Sequence, residues 1–465
     1  MKKPIFTLIT LSMSLFSYDF PSSKILAFPS AEGEGKYTIG GRGGEILFVT
    51  NLNAKGKGSL RAACEAKGSR TIIFNIGGTI DLGGENIIIK NDNITVAGQT
   101  ALGDGIQIKN GGLSIQANEV IIRYIRIRPG PAKIKGDALD IKSPNRHNRK
   151  KNIMIDHVSA FWGVDETLNG GSYSDNVTIQ WSIIAEGLHC STYDNEGRGE
   201  SWKPCKKIKN KNIWAHSRGS MITSDSRNIT FHHNLIYRNY KRNPLIQSSD
   251  ADIVNNVIVN HQYQTFVQPF KAKVQINFIG NYFRSYIHKR PPIRIFNYNK
   301  GYDKISSIYY KDNYDAIFRT TTSQPETDIR IIHKSKSKNN LDGEVQDRAT
   351  PHIFEPVETQ PVHIAYNKVL NNVGANYPKR DSADQRIIDF IKSGNAPKNL
   401  IDSPNEVGGW PQLKTGKRIK DNDNDGIPDS WEIFNGLNPN NAKDSIEINK
   451  LGYTNLEIYI NSLTN

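Results

Sequence analysis

Five charged residues in the middle of the chain have the types and spacing to do chemistry. Asp137 stands in GDALDI, Asp165 and Glu166 in FWGVDETLNGG, Arg218 in AHSRGSMI and Arg242 in KRNP, each where a run of β-formers meets a turn. Carboxylates gathered from such places offer the oxygen ligands that a hard cation such as Ca²⁺ requires. Arginines beside them can grip the carboxylates of an acidic sugar chain in bidentate fashion. Taken singly, each is equally an ordinary solvated turn charge, so the chemistry depends on a fold that brings them together.

A second acidic group lies near the C-terminus in DNDNDGIPDSWE. Asp421, Asp423 and Asp425 occupy positions one, three and five, Gly426 six, Ile427 seven (through its carbonyl), Asp429 nine and Glu432 twelve. That is the spacing of a twelve-residue EF-hand-like calcium loop. A poorer copy follows in EINKLGYTNLEIY, where Leu451 and Ile458 replace expected ligands and no ion is expected.

The elements that must position these residues recur from about Asn91 to Asn313. NIMIDHVSAFWG, NVTIQWSIIAEG, NITFHHNLIYRN, DADIVNNVIVNH and VQINFIGNYFRS each give a β-branched strand, a polar residue that is often Asn, and a turn. Such recurrence predicts an all-β chain coiled as a parallel β-solenoid, in which Asn side chains stack from coil to coil and distant residues meet on one lateral face. The amphipathic SLRAACEA, with Leu60, Ala63 and Cys64 on one face behind the cap Ser59, is expected to close the first open end. The repeats stop after about Ile332, and ADQRIIDFIKSG reads as a helix in a flanking tail. Trp162, Trp181, Asp156, His157, His232 and His233 are assigned to packing and hydrogen bonding within the coils.

The chain has 465 residues and a net charge of +14, an excess that suits a polyanionic partner: nucleic acid, an anionic membrane or an acidic polysaccharide. MKKPIFTLITLSMSLFSY has the form of a secretory signal, so residues 1–27 are expected to be removed and the product to be secreted, extracellular or periplasmic. No later apolar run is long enough to span a membrane. Three cysteines do not make a disulfide scaffold, although Cys190 and Cys205 bracket a polar insertion between Glu186 and His216 and are placed to pair.

These motifs together resemble a known family. From FPSAEGEGKYTIGGRGGEILFVTNLNAKGKGSLRAA through GDALDI, NIMIDHVSAFWGVDE and NITFHHNLIYRNYKRNP to AYNKVLNNVGANYPKRDSADQR and EVGGWP, the chain is similar to pectate lyases of polysaccharide lyase family one, closest to the secreted bacterial members. The resemblance implies a right-handed, single-stranded parallel β-helix over residues 28–407, a linker over 408–420 and a small calcium-binding module over 421–465. It implies calcium-assisted β-elimination of polygalacturonate to 4,5-unsaturated products by a monomer that binds acidic polysaccharide and no nucleic acid.

By the same resemblance Arg242, after the HHN motif and before Asn243-Pro244, is the base, and Asp137 and Asp165 hold calcium. Asn169 stands where a second carboxylate is usual and offers an oxygen without charge. Arg218 takes the place of a charge-stabilising, substrate-binding lysine, and Gln247 that of a substrate-binding arginine. Glu166 joins the ligands only if a turn intervenes, because adjacent strand residues point to opposite faces. A different uronate polymer, or a non-catalytic β-helix that captures acidic glycans, are the competing readings. A hydrolase would want a carboxylate pair around a water, and none stands out.

Overall fold

The computed structural model describes residues 24–131, 136–191, 206–208, 211–213, 216–270, 272–287, 289–297, 306–317, 331–335 and 345–464. Apart from the first two strands and the antiparallel pair Lys206–Ile208 and Lys211–Ile213, successive short strands do not pair with one another; each pairs in parallel with its counterpart one coil later. Three parallel sheets result: one of eleven strands from Glu45–Val49 to Val345–Asp347, and two of nine, from Ile87–Ile89 to Ile331–Ser335 and from Gly78–Asp81 to Tyr314–Asp315. The fold is a parallel β-helix.

Its core is a set of columns, because parallel stacking in constant register puts like residues above one another. In the eleven-stranded sheet Ile94, Val120, Ile153, Val177, Ile229, Ala251, Ile276 and Ile308 are register partners in turn, and all are fully buried. β-Branched side chains suit this packing because their single favoured rotamer fills the same slot in each coil. At one turn the buried amides of Asn234, Asn256, Asn281 and Asn313 form a ladder, each donating to the next at 2.9 to 3.1 Å. The stacking begins at Glu45, well before the Asn91 suggested by the recurrence. EILFV and RTIIF lack the marker asparagine and are separated by a helix, so their pairing leaves no repeat in the sequence.

That helix, α1 (Leu60–Glu65), begins at Ser59, whose hydroxyl accepts the Ala62 N–H at 3.2 Å. It buries Leu60, Ala63 and Cys64 against the terminal strand Ile87–Ile89 and covers that end of the column. Burial pushes the Cys64 thiol up to about 12, which suits a packing group and not a nucleophile.

Helices α2 (Val362–Asn372) and α3 (Ser382–Ser393) bury Val369, Leu370, Ile387, Ile388 and Ile391 against the sheet that carries Phe161, Ile183, Leu235 and Val257. Buried charges fix the docking. Asp381 caps α3 and pairs with Arg126 and Arg128, Arg128 also reaches Asp384 at 2.6 Å, and Glu186 is held by Arg238 and Arg386. From there the stretch 408–420 lies along the solenoid: the Trp410 indole donates to the Arg128 carbonyl, and Lys414 and Asp104 exchange two bonds. Helices α4 (Asp429–Asn435) and α5 (Asn455–Ser462) end the chain, and Ile427, Leu456, Tyr459 and Ile460 pack on Ile73 and Ala97 of the eleven-stranded sheet.

The IDH and HHN residues form an internal stack. Tyr124, His157, Trp181 and His233 lie ring on ring, and buried Asp156 accepts from Arg123, His157 and Gln180. Cys190 is disulfide-bonded; Cys205, most of the insertion and the expected signal through residue 23 lie outside the described residues.

Candidate active site

The nine-stranded sheet that begins at Ile87–Ile89 carries the charged motifs. Along strand Leu139–Lys142 side chains alternate, so Leu139 and Ile141 enter the core while Asp140 and Lys142 face outward. Register then aligns an outward row of Ser114, Asp140, Asn169 and Met221, and one step further Ser172 and Thr223 with Gln247 and Gln268 alongside. The upper part of this face is an open groove of about 410 Å³, bounded by Ser114, Gln116, Asp137, Asp140 and Lys142 on one side and by Asp165, Glu166 and Asn169 on the other.

Asp137 precedes its strand and Asp165 lies in the bend before Glu166 opens the next one, so a turn does intervene between the two adjacent acids. One oxygen each from Asp137, Asp165 and Glu166 falls within 4.8 Å of the others. The Glu166 N–H donates to Asp137 Oδ1 at 3.0 Å, which ties the coils together at this point. Withdrawal from water, then repulsion from Asp140 and Asp165, push the Asp137 carboxyl well above the usual range; burial carries Asp140 to about 6. An all-oxygen set of crowded acids fits a hard cation and lacks the nitrogen or sulfur donors that a softer metal selects.

Arg242 closes the edge of this cluster. Its guanidinium pairs with Glu166, and its side chain keeps a quarter of its surface exposed. The coil below fixes its backbone: Gly219 N–H donates to the Lys241 carbonyl and Ser220 N–H to the Arg242 carbonyl. A side chain at Gly219 would come within 2.5 Å of that carbonyl, so only glycine allows the approach. Burial pulls the guanidinium below its ordinary value, while Asp165 and Asp137 act in the opposite direction.

The other residues singled out in the sequence fall around this centre. Arg218 is the register partner of Glu166 in the next coil, and its side chain is buried, 3 % exposed. Asn169 lines the same groove; its Oδ1 accepts from Gly171 N–H, and its amide serves Asp140. Gln247 lies on the same outward face, its amide engaged by Thr223 at 3.0 Å and Gln268 at 3.2 Å. Sequence reasoning passed over Asp140, although its alternation with Leu139 and Ile141 marks it as outward-facing, and His216, whose Nε2 lies 3.4 Å from Asp165.

In the C-terminal loop Asp421, Asp423 and Asp425 converge, and Asp425 also meets Glu432 and Asp444. Asp429 lies apart, accepting from Asn422 N–H and pairing with Lys420 at 2.8 Å. Ile427 is buried against Ile73, and its N–H donates to Asp425. Asp444 stands twelve residues beyond Glu432, and no loop spacing announces it.

Comparison with known proteins decides the family. The chain is 33 % identical over 464 residues to a probable pectate lyase C of Aspergillus terreus, covering 99 % of this chain and 97 % of that protein. A probable pectate lyase C of Aspergillus flavus is 32 % identical over 446 residues, 95 % of each chain. The chain belongs to the pectate lyase family. These relatives are fungal, whereas the sequence motifs had pointed to bacterial members. Among solved structures, the major cedar-pollen allergen jun a 1 superimposes with a TM-score of 0.51 at 16 % identity, over 74 % of this chain and 92 % of its own, and shows the same fold. No family model matches the chain. Membership in the pectate lyase family makes the protein an enzyme.

Proposed function

We propose that this pectate lyase is a secreted enzyme that cleaves polygalacturonate by β-elimination, with Asp137, Asp165 and Glu166 holding calcium and Arg242 as the base. The observation that carries this reading is the convergence of those three carboxylates with a partly buried arginine at the edge of one groove. Calcium, when bound, would draw charge from the sugar's C6 carboxylate and so acidify the neighbouring C5 proton. Arg242 takes that proton at a guanidine nitrogen, the C5–H electrons form the C4–C5 double bond, and the C4–O bond breaks with the electron pair leaving on O4. The departing chain gains a proton there, so the products are a new hydroxyl end and a 4,5-unsaturated uronate.

A guanidinium is a poor base because it normally keeps its proton. Burial of Arg242 favours the neutral form, and activity accordingly rises toward alkaline pH. Lys142 at the groove wall supplies positive charge for an acidic chain, and the basic balance of the whole molecule draws a polyanion toward it. The test is ultraviolet absorbance on polygalacturonate with calcium and with chelator, across pH. Calcium-dependent growth of the chromophore that strengthens above neutral pH is expected. New reducing ends without the chromophore would mean hydrolysis, and binding without cleavage would mean a capture protein.

A further inference from the structure

We propose that the C-terminal segment holds a second calcium ion among Asp421, Asp423, Asp425, Glu432 and Asp444, and that this ion fastens the segment to the first coils of the solenoid. The acids form two groups that share Asp425, each with oxygens within 4.8 Å of one another. Backbone N–H groups serve Asp421, Asp425 Oδ1 and Asp444 Oδ2, but the remaining buried oxygens are without partners. Glu432 is 0 % exposed, Asp425 2 % and Asp444 5 %, yet both Glu432 oxygens, Asp425 Oδ2, Asp444 Oδ1 and both Asp423 oxygens lack any hydrogen-bond partner.

Buried carboxylates are ordinarily paired or bonded to a metal, because an unpaired charge out of water is strongly disfavoured. The neighbouring Lys420 is committed to Asp429. Five carboxylates with no histidine or cysteine suit a hard cation that takes six to eight oxygens. This ligand set differs from the twelve-residue loop pattern: position nine, Asp429, is excluded, and Asp444 enters from the later turn.

What the ion would hold together is visible in the packing. Between the ligands Asp425 and Glu432, Gly426 and Ile427 rest on Ile73; a side chain at Gly426 would meet Ile73 at 2.6 Å. Behind Asp444, its carbonyl accepts from Asn455 at the start of α5. On that helix Glu457 pairs with Arg42 at 2.8 Å and Asn461 accepts from Arg123 at 2.9 Å. Drawing Asp444 to the loop therefore brings both short helices onto the sheet together. Without a cation, mutual repulsion of the acids opposes that closure.

The experiment uses full-length Asp137→Asn protein, to weaken the groove site, and calcium alone as the probe, so its outcome is independent of any pectate cleavage. Calorimetry is expected to find one remaining site. Adding Asp444→Asn should weaken that site at least tenfold, whereas adding Asp429→Asn should change it less than threefold. Calcium should also protect the chain between 408 and 464 from limited proteolysis in the wild type but not in Asp444→Asn. In chelator Asp444→Asn should be no less stable than wild type, because it removes a repulsive charge. Full calcium affinity in Asp444→Asn, loss of affinity in Asp429→Asn, or wild-type proteolysis that calcium leaves unchanged would each overturn the proposal.

Discussion

A guanidinium acts as a base only where its charge is disfavoured, and at Arg242 two influences compete. Burial favours the neutral form; Asp165 and Asp137 favour the charged one, and Glu166 pairs with it directly. The acids that are to hold a cation are thus the same ones that restrain the base until their charge is compensated. Asp137→Asn separates these effects. Asparagine can still accept the Glu166 N–H, so the local geometry survives. Removal of one carboxylate should raise the half-saturating calcium concentration for cleavage by about tenfold or more, since charge count tunes such sites. In chelator its melting temperature should match or exceed that of the wild type, because the carboxylate it removes sits well above its ordinary pKa among like charges. A clear loss of stability in chelator would mean that Asp137 is a structural acid.

At the scale of elements, the docking of α3 rests on buried ion pairs that a mutation or acid can break. Burial alone would raise the Asp381 carboxyl, but Arg128 and Arg126 outweigh it and hold it at about 2. A carboxyl lowered on folding contributes stability that is complete above its unfolded value of about 4. That contribution is lost as pH falls from about 4 toward 2. Asp381→Asn leaves Arg126 and Arg128 short of countercharge and should cost about 3–5 kcal/mol at neutral pH in denaturant titrations, with a shallower acid limb. An unchanged acid limb would remove Asp381 from this role. The β-helix was legible in the sequence because stacked coils repeat their residue types: the Val and Ile columns and the Asn234 to Asn313 ladder are the physical cause of the recurrence that predicts them. The first coil was not, since α1 interrupts it, and the arginine–aspartate clamps were not, since Arg126 and Asp381 meet across 255 residues and no local spacing records it. Within the site, motif order located Asp137, Asp165 and Arg242. The convergence of Glu166 with Asp137 and Asp165, and of Asp444 with Asp425 and Glu432, depended on bends and coil contacts that have no signature of their own.

Over the whole molecule, a net positive protein presents a locally acidic groove to an acidic substrate. Under the proposed mechanism a cation lies between the two, so added salt should weaken encounter with the polymer while added calcium restores turnover. The solenoid supplies the rigid frame: stacked coils place Asp137, Asp165 and Arg242, which are spread over 105 positions of the chain, within one patch. The central claim is that Arg242 removes the proton there, and the most direct measurement is the ultraviolet progress curve of Arg242→Lys on polygalacturonate at saturating calcium, beside a binding isotherm. With Arg242 as the base, the rate should fall by roughly 10²–10⁴, the usual worth of a general base, with polygalacturonate bound about as tightly as by the wild type. Cleavage within a few-fold of the wild type would contradict it.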